Sequence, residues 1–212
     1  MIDKIKEKVN TFINSVEEEG DEKKLIFLDH MPGTPEPDMR VIGLFTDVVE
    51  EKVAELVHAI LYLNELNSLQ EEEDRKPIEF YISTYGGSAD DMFAMYDIMR
   101  CTRETTEIHT IGMGKVMSAG VLLLAAGTKG KRKIGKYCRV MIHSAIAGSH
   151  GSLPSLVNEM EALQDLQESY IDALVEETNM TKEDIKNMLE RKVNVYLSAE
   201  EAVELGIADI II

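Results

Sequence analysis

Apolar and polar positions follow two different periods along most of the chain. Short segments rich in β-branched residues predict strands, and the segments between them have apolar residues every three or four positions, which predicts helices. The predicted elements are strand 40–45, helix 48–66, strand 78–83, helix 90–99, strand 108–113, helix 118–126 and strand 140–143. Strands that alternate with helices are typical of βαβ units with a largely parallel sheet. We therefore expect an α/β fold.

The two ends of the chain have their own patterns. Residues 1–39 combine an amphipathic helical segment with a loop in which three prolines and a glycine occur between Met31 and Pro37, so we expect an N-terminal helix and loop extension. We expect residues 40–212 to form one domain. Within it, residues 152–177 predict a long helix with one apolar stripe, formed by Leu156, Met160, Leu163, Leu166, Tyr170 and Leu174. One stripe requires one partner surface.

Three shorter elements are predicted after the long helix. Thr181 with Asp184, and Ser198 with Glu201, have the composition of helix starts, and the second pair has capping-box spacing. The apolar residues that begin at Ile207 predict an edge strand or a subunit contact. We assign no chemistry to these elements.

Composition and charge narrow the class of protein. The chain has 212 residues, of which 44% are hydrophobic, and a formal net charge of −17. This composition is sufficient for one core, but the negative charge disfavours binding to nucleic acid. The basic cluster at residues 129–136 contains two glycines and predicts an exposed hairpin or turn.

Cysteine usage and hydropathy predict a cellular location. The two isolated cysteines and the absence of a signal-like apolar N-terminus indicate a reducing compartment, so we expect a cytoplasmic protein. No run approaches the roughly 18–20 apolar residues that cross a bilayer, and we expect no membrane partner. Because the sequence contains neither a paired Cys-x-x-Cys nor an H-E-x-x-H motif, we also expect no metal and no cofactor.

The candidate chemistry lies in three segments, each at or near the end of a predicted strand. Ser118 follows a glycine-containing strand pattern, and His143 follows 25 residues later at the end of another predicted strand. A serine hydroxyl needs a nearby base to act as a nucleophile, and His143 is the candidate base. The pair Gly86–Gly87 ends a third predicted strand, where bare backbone N–H groups can face a developing oxyanion.

Two other catalytic motifs are excluded by the sequence. The G-x-S-x-G elbow of α/β-hydrolases requires glycine two residues before the serine, where this chain has Val116. The segment 127–132 contains glycines and lysines without the spacing of a phosphate loop, so the chain has no visible ATPase motif.

The segments that contain Ser118, His143 and the glycine pair together resemble the family of Clp protease proteolytic subunits (ClpP). The likeness covers about residues 40–210 and includes the glycine pair, Ser118, the Met-Ile-His sequence ending at His143, and Leu-Ser-Ala-Glu-Glu-Ala at 197–202. The resemblance implies a ClpP/crotonase-like fold of repeated βαβ units, with residues 152–177 as a protruding handle helix.

The resemblance also implies a mechanism. The chain would be a serine-type endopeptidase that forms an acyl-enzyme on Ser118, with His143 as general base and the backbone N–H groups of Gly87 and Ala119 as oxyanion donors. Asn194 aligns with the position of the family's triad aspartate, so we assign it as the orienting residue. Three acidic side chains could orient His143 instead of Asn194: Asp184, Glu190 and Glu183.

The implied assembly is a homo-oligomer of two stacked heptameric rings, a tetradecamer that encloses Ser118. A hexameric AAA+ unfoldase would use ATP to supply unfolded polypeptides. Three departures from the family pattern are Val116–Met117 before the serine, Ser144–Ala145 after the histidine, and Asn194. Asn194 and Val116–Met117 favour one alternative, a weakly active or inactive structural ring subunit of a mixed Clp complex. A second alternative is a crotonase-like acyl-CoA enzyme, which needs no Ser-His pair.

Overall fold

A computed structural model describes residues 39–190 and 194–212 of the chain. The predicted N-terminal helix and its proline-rich loop lie outside the described residues. The assignment of residues 1–39 to an extension therefore stays a prediction.

In the described residues, helices and strands alternate along most of the chain, which confirms the predicted α/β class. The strands are β1 (Val41–Leu44), β2 (Ile78–Thr84), β3 (Ile108–Met117), β4 (Lys133–Ile134), β5 (Arg139–Ile142), β6 (Val195–Leu197) and β7 (Ile210–Ile211). The helices are α1 (Glu50–Ser68), α2 (Ala89–Thr102), α3 (Ala119–Ala125), α4 (Leu153–Glu177), α5 (Lys182–Glu190) and α6 (Ala199–Glu204), with one 3₁₀ turn at Glu72–Asp74.

The strands form one largely parallel sheet, as predicted. Its main order is β1-β2-β3-β4-β7, while β5 pairs with β3 and β6 pairs with β5. Of the strand pairs in the described part of the chain, β5 with β6 is antiparallel and the others are parallel. Strand β7 lies at one end of the main order, which confirms the predicted edge strand.

Strand β3 is longer than the sequence predicts, and its extension positions the candidate site. Its first half pairs with β4, and its second half, from Lys115 to Met117, pairs with β5. The prediction that this strand ends at Met113 was wrong because Gly114, at φ 67°, redirects the backbone without ending the strand. Pairing with β5 then continues up to Ser118.

The core contains residues of the sheet and of helices α1 to α3, joined by the C-terminal part of α4 and by residues of α5 and α6. Every residue of α3 is buried, as expected for a helix that is apolar on all sides. In β2, buried residues alternate with partly exposed ones, so one face of this strand packs on the core. The capping box of Ser198 and Glu201 at the start of α6 is present, as predicted.

A buried polar cluster fixes the C-terminal end of α4. The guanidinium of Arg103 donates two hydrogen bonds to the carboxylate of Glu177, at 2.6 and 2.9 Å, and the Tyr96 hydroxyl donates a third at 3.1 Å. Arg132 donates to the backbone carbonyl of Glu177 and forms a two-bond ion pair with Asp209.

The basic cluster at residues 129–136 is only partly as predicted. Lys129 and Gly130 form a turn, but Arg132 is buried and β4 is an internal parallel strand. The hairpin alternative was therefore wrong, because β4 pairs in parallel with β3 and β7 and Asp209 neutralises the buried Arg132.

Helix α4 is buried only towards its C-terminal end. Ile171 and Leu174 pack into the core, whereas Leu153 and Met160 near the other end are 75% and 62% exposed. Within residues 39–190 and 194–212, no helix has the length and apolar character needed to span a bilayer.

Candidate active site

Ser118 lies at a sharp turn between β3 and α3. Its backbone has φ 53° and ψ −123°, and it is the one non-glycine residue at positive φ in the described part of the chain. L-residues rarely adopt such a conformation, and strain of this kind clusters at functional sites. A strand-to-helix turn is therefore present although Val116 breaks the elbow motif. The predicted helix start at Ser118 is confirmed, whereas its positive φ has no signal in the sequence.

The glycine pair approaches the serine closely. A Cβ atom built on Gly86 would lie 2.6 Å from the Cβ of Ser118 and 3.0 Å from its Oγ, and Gly86 has φ 104°. Any other L-residue would meet both a steric clash and an unfavourable backbone conformation there. Gly86 is therefore a site residue that the sequence analysis treated only as part of a pair.

Sheet register brings Ser118 and His143 together. Met117 pairs with Met141 across β3 and β5, and the Ser118 N–H donates to the Met141 carbonyl at 2.8 Å. His143 directly follows the end of β5. Both residues therefore lie at the carboxyl ends of neighbouring parallel strands, where α/β folds place their ligand sites.

The tautomer of His143 follows from its hydrogen bond. Nδ1 lies 2.6 Å from the backbone carbonyl oxygen of Ser144. A carbonyl oxygen only accepts, so Nδ1 carries the proton and, in the neutral ring, Nε2 has the free lone pair. This is the tautomer that a general base needs for a serine hydroxyl.

Two backbone N–H groups are available beside Ser118. Val48 donates to the Gly86 carbonyl and accepts from the Ser88 N–H, so the N–H of Gly87, between them, points away from Val48. Ala119 is the first residue of α3 and has no acceptor within that helix. Gly87, Ala119, Ser118 and His143 line one cavity of about 440 Å³.

Comparison with known proteins identifies the family. The family model described as Clp protease matches residues 38–212. The chain belongs to the Clp protease family. A relative from Prochlorococcus marinus subsp. pastoris, named ATP-dependent Clp protease proteolytic subunit 1, is 33% identical over 173 residues, which are 82% of this chain and 83% of the relative. One from Deinococcus radiodurans, named ATP-dependent Clp protease proteolytic subunit, is 32% identical over 82% of this chain and 80% of its own length.

The match confirms the resemblance drawn from the sequence. The mixed α/β architecture with its parallel sheet is consistent with the ClpP fold. Because the matched range includes Ser118, His143 and Asn194, these residues can be compared with the geometry expected of a Clp protease.

In this Clp protease chain, Asn194 lies close to His143 in the sheet without bonding to it. Ile142 pairs with Val195 across β5 and β6, so the register continued by one residue brings Asn194 opposite His143. Asn194 is exposed, and its side chain makes no hydrogen bond to the His143 ring. Its role as orienting residue therefore stays a prediction.

The acidic alternatives do not reach His143 either. Asp184 accepts hydrogen bonds from the N–H and Oγ1 of Thr181, at 2.9 and 2.6 Å, and these bonds lower the pKa of its carboxyl group. Glu183 and Glu190 are exposed, and neither contacts the imidazole of His143.

Helix α4 of this Clp protease is attached to both candidate catalytic segments. The buried hydroxyl of Tyr170 donates to the backbone carbonyl of Ser118 at 3.2 Å, and the Ala145 N–H donates to the side chain of Gln167 at 3.1 Å. Desolvation raises the pKa of Tyr170, so its hydroxyl stays protonated and remains a donor. The sequence analysis identified Tyr170 only as part of the apolar stripe and did not single out Gln167.

Many of the residues that line the cavity beside Ser118 are apolar. They include residues from α2, α4 and the segment after His143: Met92, Ala145, Ile146, Leu163 and Leu166. A largely apolar cavity with a few polar groups is typical of a ligand site.

Proposed function

We propose that this Clp protease chain is a serine endopeptidase subunit that hydrolyses unfolded polypeptides through an acyl-enzyme on Ser118. One arrangement carries the proposal. Ser118, at a strained turn, shares a cavity with two available N–H donors and with a histidine whose Nδ1 is protonated. This is the set of groups that acyl transfer requires.

The first half of the reaction would proceed as follows. The peptide carbonyl oxygen accepts hydrogen bonds from the N–H groups of Gly87 and Ala119, and Nε2 of His143 takes the proton of Ser118 as Oγ attacks the carbonyl carbon. The resulting oxyanion is stabilised by the two donors and by the N-terminal end of α3. The imidazolium then gives its proton to the leaving amine.

In the second half, water attacks the acyl-enzyme, and His143 again acts first as base and then as acid. The Ser144 carbonyl holds the ring in the required tautomer throughout. A neutral carbonyl or the Asn194 amide stabilises an imidazolium less than a carboxylate does, so we expect slower hydrolysis than an Asp-containing triad gives.

The proposed assembly is the family's, two stacked heptameric rings with Ser118 inside. It is supported by the exposed apolar residues on the N-terminal half of α4, such as Leu153 and Met160, which require a partner surface. The relatives are named ATP-dependent. We propose that an AAA+ unfoldase hydrolyses the ATP and feeds unfolded chains to this subunit.

One observation favours a second function. Because residue 194 is an asparagine, this chain has an amide in place of a carboxylate at the proposed orienting position. The Asn194 side chain is also exposed and makes no hydrogen bond to His143. A weakly active or inactive ring subunit that shapes a mixed assembly would tolerate this loss.

Peptide turnover tests the proposal and separates the two functions. We expect the assembled wild-type particle to cleave a short fluorogenic peptide, and Ser118→Ala and His143→Ala each to lower kcat by at least about 10³-fold. Turnover unchanged in Ser118→Ala would contradict the mechanism. An assembled wild-type particle without turnover would support the structural ring subunit.

A further inference from the structure

Two cations lie side by side on the sheet next to the proposed site. Lys115 of β3 and Arg139 of β5 are register partners in a parallel pair. Their neighbours Val116 and Val140 are fully buried. Since side chains alternate along strands, Lys115 and Arg139 therefore share the face that points away from this core.

A tyrosine flanks each cation. The Lys115 ammonium lies 4.5 Å from the centroid of the Tyr85 ring, and the Arg139 guanidinium lies 5.4 Å from that of Tyr196. The four side chains form a row across the sheet, which we call the cationic row. Tyr85 also lines the cavity that contains Ser118, so the row begins at the edge of that cavity.

The cations of the row have no carboxylate partner among the residues that the structure describes. Within the described ranges, neither Lys115 nor Arg139 forms an ion pair, although the chain has 39 acidic and only 22 basic residues. Like charges that face each other across two strands destabilise a sheet. An anion bound between them would remove this cost.

We propose that the cationic row is a subsite for a carboxylate side chain of the polypeptide substrate. The proposal rests on the function proposed for Ser118. Lys115 precedes Ser118 by three residues, which corresponds to roughly 10 Å along a strand. An extended substrate covers this distance in about three residues, so the preferred Asp or Glu lies two or three residues from the scissile bond.

Matched peptides test the subsite. Two fluorogenic peptides would differ only by Glu or Gln at that position. At low salt we expect wild type to show a kcat/KM about three- to tenfold higher for the Glu peptide, the size expected for two partly exposed ion pairs. The ratio should fall in Lys115→Gln and in high salt, and Lys115→Glu should favour a peptide with Lys instead.

Lys136→Gln is the control variant. Lys136 also lies over a tyrosine, and its Nζ is 5.6 Å from the centroid of the Tyr137 ring. Lys136 does not line the cavity, so Lys136→Gln removes one positive charge at a position outside it. The Glu-to-Gln ratio should keep its wild-type value in this variant. A ratio of one in wild type, or an equal fall in both variants, would overturn the subsite.

Binding to Ser118→Ala separates this proposal from the catalytic one. Fluorescence anisotropy with the labelled Glu and Gln peptides needs no turnover. Tighter binding of the Glu peptide that is lost in Ser118→Ala/Lys115→Gln supports the subsite even if the wild-type chain proves inactive. Equal binding of the two peptides, or a change in particle size instead of affinity, would show that the row does not serve the substrate.

Discussion

At the residue scale, the catalytic proposal depends on how closely Gly86 approaches Ser118. The contact requires an absent side chain and a backbone with positive φ, both of which only glycine supplies without cost. The same loop carries Gly87, whose N–H is a proposed oxyanion donor. One residue therefore sets both the access to the nucleophile and the position of a donor.

We predict that Gly86→Ala lowers the rate of Ser118 labelling by a fluorophosphonate by at least about 10²-fold, the effect of losing one oxyanion donor. Gly130→Ala is the matched control, because Gly130 also has positive φ, at 83°, but a Cβ there would meet nothing within 4 Å. An equal fall of the labelling rate in the two variants would show that backbone strain alone causes the effect, and would contradict the prediction.

We predict that Asn194→Asp raises peptide turnover by about tenfold or more. The register brings residue 194 opposite His143, and a carboxylate there would stabilise the imidazolium, an effect worth up to ~10⁴ in a trypsin-type serine protease. Steady-state kcat measures it, and Asn194→Ala is the control. An unchanged or lower rate in Asn194→Asp would remove Asn194 from the orienting position.

Sequence alone identified these residues unequally. Ser118, His143 and the glycine pair could be selected as candidates because their order and local composition resemble those of the Clp protease family. The strained backbone of Ser118 and the bond from His143 to the Ser144 carbonyl could not, because both depend on how two strands meet in space.

At the element scale, α4 links the proposed assembly surface to Ser118, the proposed nucleophile. Its exposed N-terminal half and its buried C-terminal half belong to one helix, and Tyr170 on it bonds to the backbone of Ser118. The periodicity predicted this helix to within one residue at its start. It could not predict the hydroxyl contact, because an apolar stripe does not show where a tyrosine's polar end points.

We predict that Tyr170→Phe lowers kcat about two- to tenfold and leaves KM unchanged, because one neutral hydrogen bond that positions Ser118 is lost. The Ser118 carbonyl keeps its bond from the Val121 N–H, so the fold should persist. Steady-state kinetics measures the split. A rise in KM with unchanged kcat would contradict a positioning role.

We predict that Glu177 makes stability fall in acid. Burial alone would raise its pKa, but the hydrogen bonds and charge of Arg103 lower it below the ordinary value. The carboxylate therefore stabilises the fold above the unfolded pKa of about 4.3, and this contribution is lost as pH falls through the lower folded pKa.

Urea unfolding between about pH 5 and pH 3 measures the effect of Glu177. The midpoint should fall less steeply with pH in Glu177→Gln than in wild type, because glutamine takes up no proton. Glu183→Gln, at an exposed position, is the control and should keep the wild-type slope. Equal slopes in wild type and Glu177→Gln would contradict the prediction.

At the scale of the whole molecule, family likeness predicted the fold, and periodicity predicted most elements. The errors occurred at glycines and lysines, where local composition indicates a turn but the tertiary structure continues a strand. Gly114 within β3 and the basic segment that contains β4 are the two cases. In both segments, pairing with strands that are distant in the sequence stabilises the strand conformation.

We predict that Met160→Glu weakens assembly of the particle. Met160 is 62% exposed and lies on the N-terminal half of α4. If this half forms an interface, a glutamate at position 160 would have to lose its hydration there, which costs free energy. Light scattering at fixed protein concentration should show smaller particles than for wild type, and Glu161→Gln, which changes an adjacent exposed residue, should not reduce the size. Particles of wild-type size in Met160→Glu would contradict a role of this half of α4 in the interface.

The most direct test of the central claim is covalent labelling of Ser118. Assembled particles, verified by light scattering, would be treated with a fluorophosphonate, and the intact mass of the chain would be measured for wild type and Ser118→Ala. The account predicts one adduct per wild-type chain and none in Ser118→Ala. No adduct on an assembled wild-type particle, or an adduct that persists in Ser118→Ala, would contradict an activated serine at this position.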